Sequence, residues 1–460
     1  MEKKRKMRLP ARATLFYGVG IVLSRAIGVL TTPIFTRAMS ESEYGLYSYY
    51  ISILSITSMI SGVFLTPAVF YSGLGKFSDN KSGFVNKAIF LTSGINLCFC
   101  TLLFTFNSFL GINKEFAVII LFQGILDAVI NSELLKSKFS YGYGKVLLIN
   151  LSTSFLSAII SIILVCTLGM GAMGRILGLL LGGALVSIPL ILTRKDRGSG
   201  GCGAGKFLIK NALPLIPAVI ARASIGWADK LIIKGKMGVD SLAKYSVAHT
   251  VGTALFALIG ALCSALNPWL VRKLTAKKRE EIFPIIREIS ALASWGGVAI
   301  VATAPEIFAF LAPSGYRDAI YVIAPLALSS AIYFLYTVAS VIISFDERTK
   351  IISLSSAFGA VVSLVINFAL IPTLGYLGGG LAYFIGEVAM YSSAIFFMGK
   401  WDKEAARALS PTPELYISIL IGVVFTLLYP HSSVRIFLLI IPLCELARHT
   451  FSCLQIAREK

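Results

Sequence analysis

Apolar stretches follow one another along almost the whole chain of 460 residues, parted by short polar and basic segments. A helix rising about 1.5 Å per residue needs roughly 20 largely apolar residues to cross the hydrocarbon layer of a bilayer. The pattern predicts about fourteen spans, near residues 14–36, 45–71, 88–110, 116–135, 146–168, 172–193, 212–233, 246–270, 286–311, 319–344, 351–371, 378–399, 414–430 and 434–451. The last two are short, and the final one carries Arg435, Glu445 and Arg448, which leaves twelve as the smaller count. The expected fold class is all-α: a polytopic membrane protein.

Composition agrees, with 56% of residues hydrophobic and 14% charged, too apolar a balance for a soluble globular chain. A formal net charge of +19 would point to nucleic acid in a soluble protein. Here the charge falls in the segments between spans. If the basic tail of residues 1–12 lies inside, the inside segments collect Lys76, Lys81 and Lys87, then Lys136, Lys138 and Lys145, then Arg194 to Lys210. Arg272 to Arg287, Arg348 and Lys350, Lys400 to Arg407, and Arg448 to Lys460 follow on the same side. The outside segments hold only Arg37, Lys114, Arg175, Lys230, Lys234, Lys236, Lys244, Arg317 and Arg435. This bias orients the helices, placing both termini in the cytoplasm and the protein in the cytoplasmic membrane.

The Gly-rich, basic stretch 194–211 divides six spans from the rest, giving an N-terminal lobe over 1–193, a linker over 194–211, a C-terminal lobe over 212–399, and a loop with a helix pair over 400–460. The two lobes open alike: Arg25 precedes Tyr47-Ser48 by nearly the distance at which Arg222 precedes Tyr245-Ser246, which suggests an internal repeat. Within the linker, Gly200 to Lys206 approaches a phosphate-binding loop, but Phe207 stands where magnesium needs Ser or Thr. A flexible tether is expected there. Three scattered histidines, short outside segments and seven cysteines without ligand spacing argue against an enzyme and imply neither cofactor nor metal.

Ionisable residues inside apolar runs carry the functional signal. Arg25 and Arg222 lie near the middle of the first and seventh spans, where each costs about 2.5–3.5 kcal/mol before compensation. Either an acid on a neighbouring helix offsets that cost, Asp127 or Glu387 being available to Arg25, or the guanidinium lines a water-filled cavity and binds phosphate bidentately. Asp127, Glu133, Asp229 and Glu387 are read as ion-pair partners or as sites of proton or sodium coupling, with Lys230 and Arg222 available to neutralise Asp229.

Three fragments carry a family resemblance. They are Ser24-Arg25 with Pro33 to Arg37 and Glu43 to Tyr47; Ala212 to Pro217 with Asp229 to Ile233 and Tyr245-Ser246; and Asn367 to Pro372 with Gly375 to Gly380. In order and spacing the chain resembles the Wzx- or RfbX-type oligosaccharide flippases, relatives of multidrug/toxin extrusion proteins and lipid II flippases. The resemblance implies a two-lobed, MATE-like fold that carries undecaprenyl-pyrophosphate-linked repeat units of an O-antigen, capsule or exopolysaccharide to the outer leaflet by alternating access. It also implies Arg25 and Arg222 as pyrophosphate-binding residues, and polysaccharide polymerase and chain-length machinery as partners. Rival readings are a cation-coupled multidrug exporter of the same fold, which would prefer an acidic cavity, and a membrane-embedded glycan polymerase or ligase.

Overall fold

A computed structural model of the protein describes residue 20 and residues 22–105, 114–140, 142–193 and 202–458. These residues are helical throughout, with no strand among them. Contacts divide the chain into two compact units, 1–223 and 224–460. Twelve described segments are helical, long and apolar enough to cross a membrane, including both of the short final ones, Lys403–Leu427 and Ser432–Cys453. At the other two predicted spans stand the helix over residues 22–38 (α1) and Ile216–Met237 (α9). The latter is set apart by its charges, Arg222, Asp229, Lys230, Lys234 and Lys236. The protein is a multi-pass membrane protein.

In the first unit α1 is followed by α2 (Glu41–Ser61), α3 (Pro67–Lys76), α4 (Lys81–Thr105), α5 (Lys114–Phe139), α6 (Tyr143–Ile162) and α7 (Gly171–Leu192). Ser40 and Glu43 close a reciprocal capping box at the start of α2, so this part of the first fragment fixes a helix end. Small residues set the closest helix approach. A Cβ at Gly178 would lie 2.2 Å from Ser161 Oγ, and one at Gly182 would lie 2.3 Å from Ser157 Oγ. Four-residue spacing puts both glycines on one face of α7, against serines equally spaced on α6.

The predicted tether is partly ordered. Residues 194–201 lie outside the described residues, but Cys202–Ala212 forms a helix, α8. Ala204, Leu208 and Ala212 recur every four residues and are buried with Phe70, Leu74 and Phe84 of α3 and α4. That apolar stripe holds α8 to the first unit, so the division between units falls downstream, within α9. Lys206, the lysine of the near-phosphate loop, lies exposed on α8, so the described part of that loop is helix and not a cradle of loop amides.

The second unit continues with α10 (Val239–Gly252), α11 (Ala254–Thr275), α12 (Ile282–Leu311), α13 (Ile323–Phe345), α14 (Thr349–Leu374) and α15 (Tyr376–Met398). The short α16 (Lys403–Ala408) leads into α17 (Pro413–Leu427), α18 (Ser432–Leu438) and α19 (Ile440–Arg458). The glycine triplet lets α15 approach its neighbours: a Cβ at Gly378 would sit 2.4 Å from the Leu370 carbonyl oxygen, and one at Gly379 would sit 3.1 Å from the Tyr245 ring. Arg435, only 1% exposed, fastens the final helices by donating to both carboxylate oxygens of Glu306 at 2.5 and 2.6 Å and to the Ala302 carbonyl.

The predicted inside segments of this unit share one end. Arg279 pairs with Asp402, Trp401 Nε1 donates to Asp346 at 3.1 Å, and Arg348 lies over the Trp401 ring. Arg448 reaches Glu414, and His449 Nδ1 lies 2.7 Å from Glu288. At the opposite end Arg435 meets Glu306, and Tyr321 packs on Tyr429.

Cysteines introduced at the exposed Ser314 and Ser410, in a background without native cysteine, are therefore expected to react from opposite sides of the membrane with an impermeant reagent. Reaction from the same side would refute the arrangement. Gly178→Leu is expected to reduce the membrane abundance of folded protein several-fold, since α6 cannot move aside without losing its packing on α7. Gly260→Ala, at a position open to 4 Å, should leave abundance unchanged.

Candidate functional site

Two exposed faces divide α1. Leu23, Leu30 and Ile34 are exposed and recur at spacings of seven and four, which keeps them on one apolar face. Arg25, also exposed, stands two residues from Leu23 and therefore about 200° round the helix from it. Among the described residues it makes no ion pair or hydrogen bond. The pairing with Asp127 that would offset its charge is not formed. The side chain of Arg222 on α9 lies outside the described residues.

The acids are placed differently. Glu133, 5% exposed, meets Lys145 Nζ at 2.5 Å across the α5–α6 connection. Asp127, one to two turns earlier on α5, accepts from Gln123 Nε2 at 3.1 Å, while Asn96 of α4 donates to the Leu121 carbonyl at 2.9 Å. Tyr50 of α2 lies within electrostatic reach of Asp127. Its hydroxyl and Gln123 Oε1 are buried without a partner among the described residues, which leaves hydrogen-bonding capacity beside the carboxylate.

In the second unit, Asp229 is fully buried and accepts from the Lys230 backbone N–H at 2.7 Å and from the Tyr245 hydroxyl. The His249 ring lies 5.8 Å from that of Tyr245 and 6.1 Å from that of Tyr383. Glu387, also fully buried, stands about one turn beyond Tyr383 on α15. The second fragment thus joins α9 to α10 through an acid and a tyrosine. Tyr245 is the seventh residue of α10, just as Tyr47 is the seventh of α2, so the two halves repeat a helix, a break and a tyrosine in register.

A buried cation also stands on α7, where the charge pattern places only an outside charge. Arg175 of α7, 7% exposed, stands over the rings of Tyr47, Phe35 and Tyr44 at 3.7, 4.1 and 4.8 Å from its guanidinium carbon. Cation–π attraction offsets its burial and ties α7 to α1 and α2. Its one sequence signal is a charge at the head of an apolar run. Among the described residues, no cluster of His, Cys, Asp or Glu could hold a metal ion.

The fold is similar to those of solved MOP-superfamily transporters and of a lipid II flippase. An inward-facing multidrug resistance MATE family transporter of that superfamily matches over 87% of this chain and 100% of its own, with a TM-score of 0.66 at 14% identity. The lipid II flippase MurJ, in an inward closed conformation, matches over 92% and 99%, with a TM-score of 0.64 at 15% identity. A MOP superfamily transporter from Pyrococcus furiosus, described by the reverse polarity of its binding pocket, matches over 88% and 97% with a TM-score of 0.62 at 14% identity. At these identities the likeness is one of fold. Sequence comparison gives no match to a protein family or to a curated protein.

The buried Asp229 and Tyr245 give a double-mutant test. Tyr245→Phe is expected to cost about 1–3 kcal/mol by leaving the carboxylate short of a donor, and distinctly less in an Asp229→Asn background. Thermal unfolding of the four purified proteins in detergent measures both costs. Equal costs in the two backgrounds would show that the hydroxyl does not serve Asp229.

Proposed function

We propose that this protein is a flippase that carries an oligosaccharide linked to undecaprenyl pyrophosphate across the cytoplasmic membrane by alternating access. The observation that carries this reading is Arg25. It stands in α1, the helix at the first predicted span, exposed on the side away from the apolar face, and makes no ion pair among the described residues. Facing lipid at that depth it would cost about 2.5–3.5 kcal/mol, and facing an aqueous cavity it would not. A guanidinium so held has its planar donors free for a phosphate or pyrophosphate. Arg222, at the corresponding place in the repeat, is proposed as its counterpart. In this reading the basic end of the second unit is cytoplasmic.

The lipid II flippase MurJ supports the reading because lipid II is itself lipid-linked. The MATE neighbours support a second reading, a multidrug exporter, since the same fold serves it. The description of the Pyrococcus furiosus transporter links pocket polarity to function, and a basic pocket suits an anionic substrate better than a cationic drug. The half-buried carboxylate of Asp127 and the buried one of Asp229 are proposed as sites where a proton or sodium ion couples to transport. Glu387 is a further candidate, and Glu133 serves its ion pair with Lys145.

In a strain lacking the gene, Arg25→Ala is expected to reduce surface glycan by at least about tenfold with membrane abundance unchanged, the loss of a charge-assisted contact worth roughly one such factor or more. Arg25→Lys should recover part of the activity, because it keeps the charge and loses the fork. Full export by the Arg25→Ala, Arg222→Ala double variant would remove both residues from the substrate site. Unchanged glycan with lost drug resistance on deleting the gene would establish the exporter reading.

A further inference from the structure

A cavity of about 600 Å³ opens at the basic end of the second unit, between the start of α12 and the short helix α16. Its walls are tied down on both sides. Arg279, just before α12, pairs with Asp402, and Asp402 also caps α16 by accepting from the Ala405 N–H at 3.0 Å. Trp401 is held in turn by Asp346.

Three cations line this cavity, Arg287, Lys403 and Arg407, together with two carboxylates, Glu280 and Glu404, over an apolar floor that includes Phe283. The adjacent acids are already engaged: Glu281 binds Lys273 and Lys278, and Asp402 binds Arg279. Among the described residues none of the three lining cations forms an ion pair, and all three are exposed. The lining residues stand at the starts of two segments long and apolar enough to cross a membrane, Arg279–Leu311 and Lys403–Leu427, a position that suits the level of phospholipid headgroups. The neighbouring Trp401 suits the same interfacial level.

We propose that this cavity binds the headgroup of a phospholipid bearing both a phosphate ester and a primary ammonium, as in phosphatidylethanolamine. The phosphate takes the charge-assisted donors of Arg287, Arg407 and Lys403. The ammonium donates to Glu280 or Glu404. Each alternative headgroup leaves part of the site unused. A purely anionic glycerol headgroup brings no cation to the two carboxylates, and a choline headgroup brings a cation without an N–H to donate. The volume is of the size usual for small-molecule sites. The site is independent of the transported substrate and stands whether the protein exports a glycan or a drug.

The test is native mass spectrometry of the purified full chain in mild detergent, titrated with ethanolamine, choline or glycerol phospholipids of identical acyl chains. One ethanolamine lipid is expected to bind about tenfold more tightly than either other lipid, the equivalent of one lost charge-assisted contact. Arg287→Ala with Arg407→Ala should abolish that preference. Glu280→Gln with Glu404→Gln, isosteric changes at exposed positions, should turn it toward the glycerol headgroup while the protein still elutes as a folded species. Glycerol lipid bound as tightly as ethanolamine lipid by the unaltered chain would overturn the proposal, as would equal retention by the arginine variant. Displacement of the lipid by an equal concentration of inorganic phosphate would show a free-anion site in its place.

Discussion

A charge carried into an apolar layer must be compensated where it stands, and this constraint orders the polar features of the protein. The compensation takes several forms here. Arg435 finds a bidentate carboxylate and a carbonyl, Glu133 finds Lys145, Asp229 finds a tyrosine and a backbone amide, and Arg175 finds three aromatic faces. Each contact fastens one helix to another or to an adjoining turn. Arg25 differs in having no such protein partner among the described residues. The described residues supply it no compensation, which is why a single exposed arginine is proposed to carry more functional weight than several buried ones.

The same constraint made the spans readable from the chain. Apolar runs cannot be interrupted cheaply, so helices and basic connections stand out in order, and the second unit brings its predicted inside segments to one end. Helix-to-helix partnership was harder to read. Whether Glu133 meets an arginine or Lys145 depends on the turn between α5 and α6, and Arg175 depends on rings more than a hundred residues upstream. Charge and hydropathy along one dimension hold no record of those encounters.

The Gly-rich segment shows a different limit. Gly200, Gly201, Gly203 and Gly205 lower helix propensity and suggest a tether. The opposing signal, Ala204, Leu208 and Ala212 at four-residue spacing, is short and became decisive only through burial against α3 and α4. Tertiary packing overrode local preference. Similarly, the fragments that resemble flippases proved to hold a cap at Glu43, an acid–tyrosine pair at Asp229 and Tyr245, and a close helix crossing at Gly378. These residues shape the frame, while Arg25 in the first fragment is the one proposed to meet a substrate.

The aromatic box around Arg175 has a bearing on the medium the protein meets. Arg435 is held through a carboxylate, and an acidic medium that protonates Glu306 removes the charge from that clasp. The rings of Phe35, Tyr44 and Tyr47 hold Arg175 by their electron-rich faces, and no proton added in the acid range neutralises a quadrupole. The clasp on α7 thus contains no acid to protonate, whereas its counterpart in the other unit depends on one.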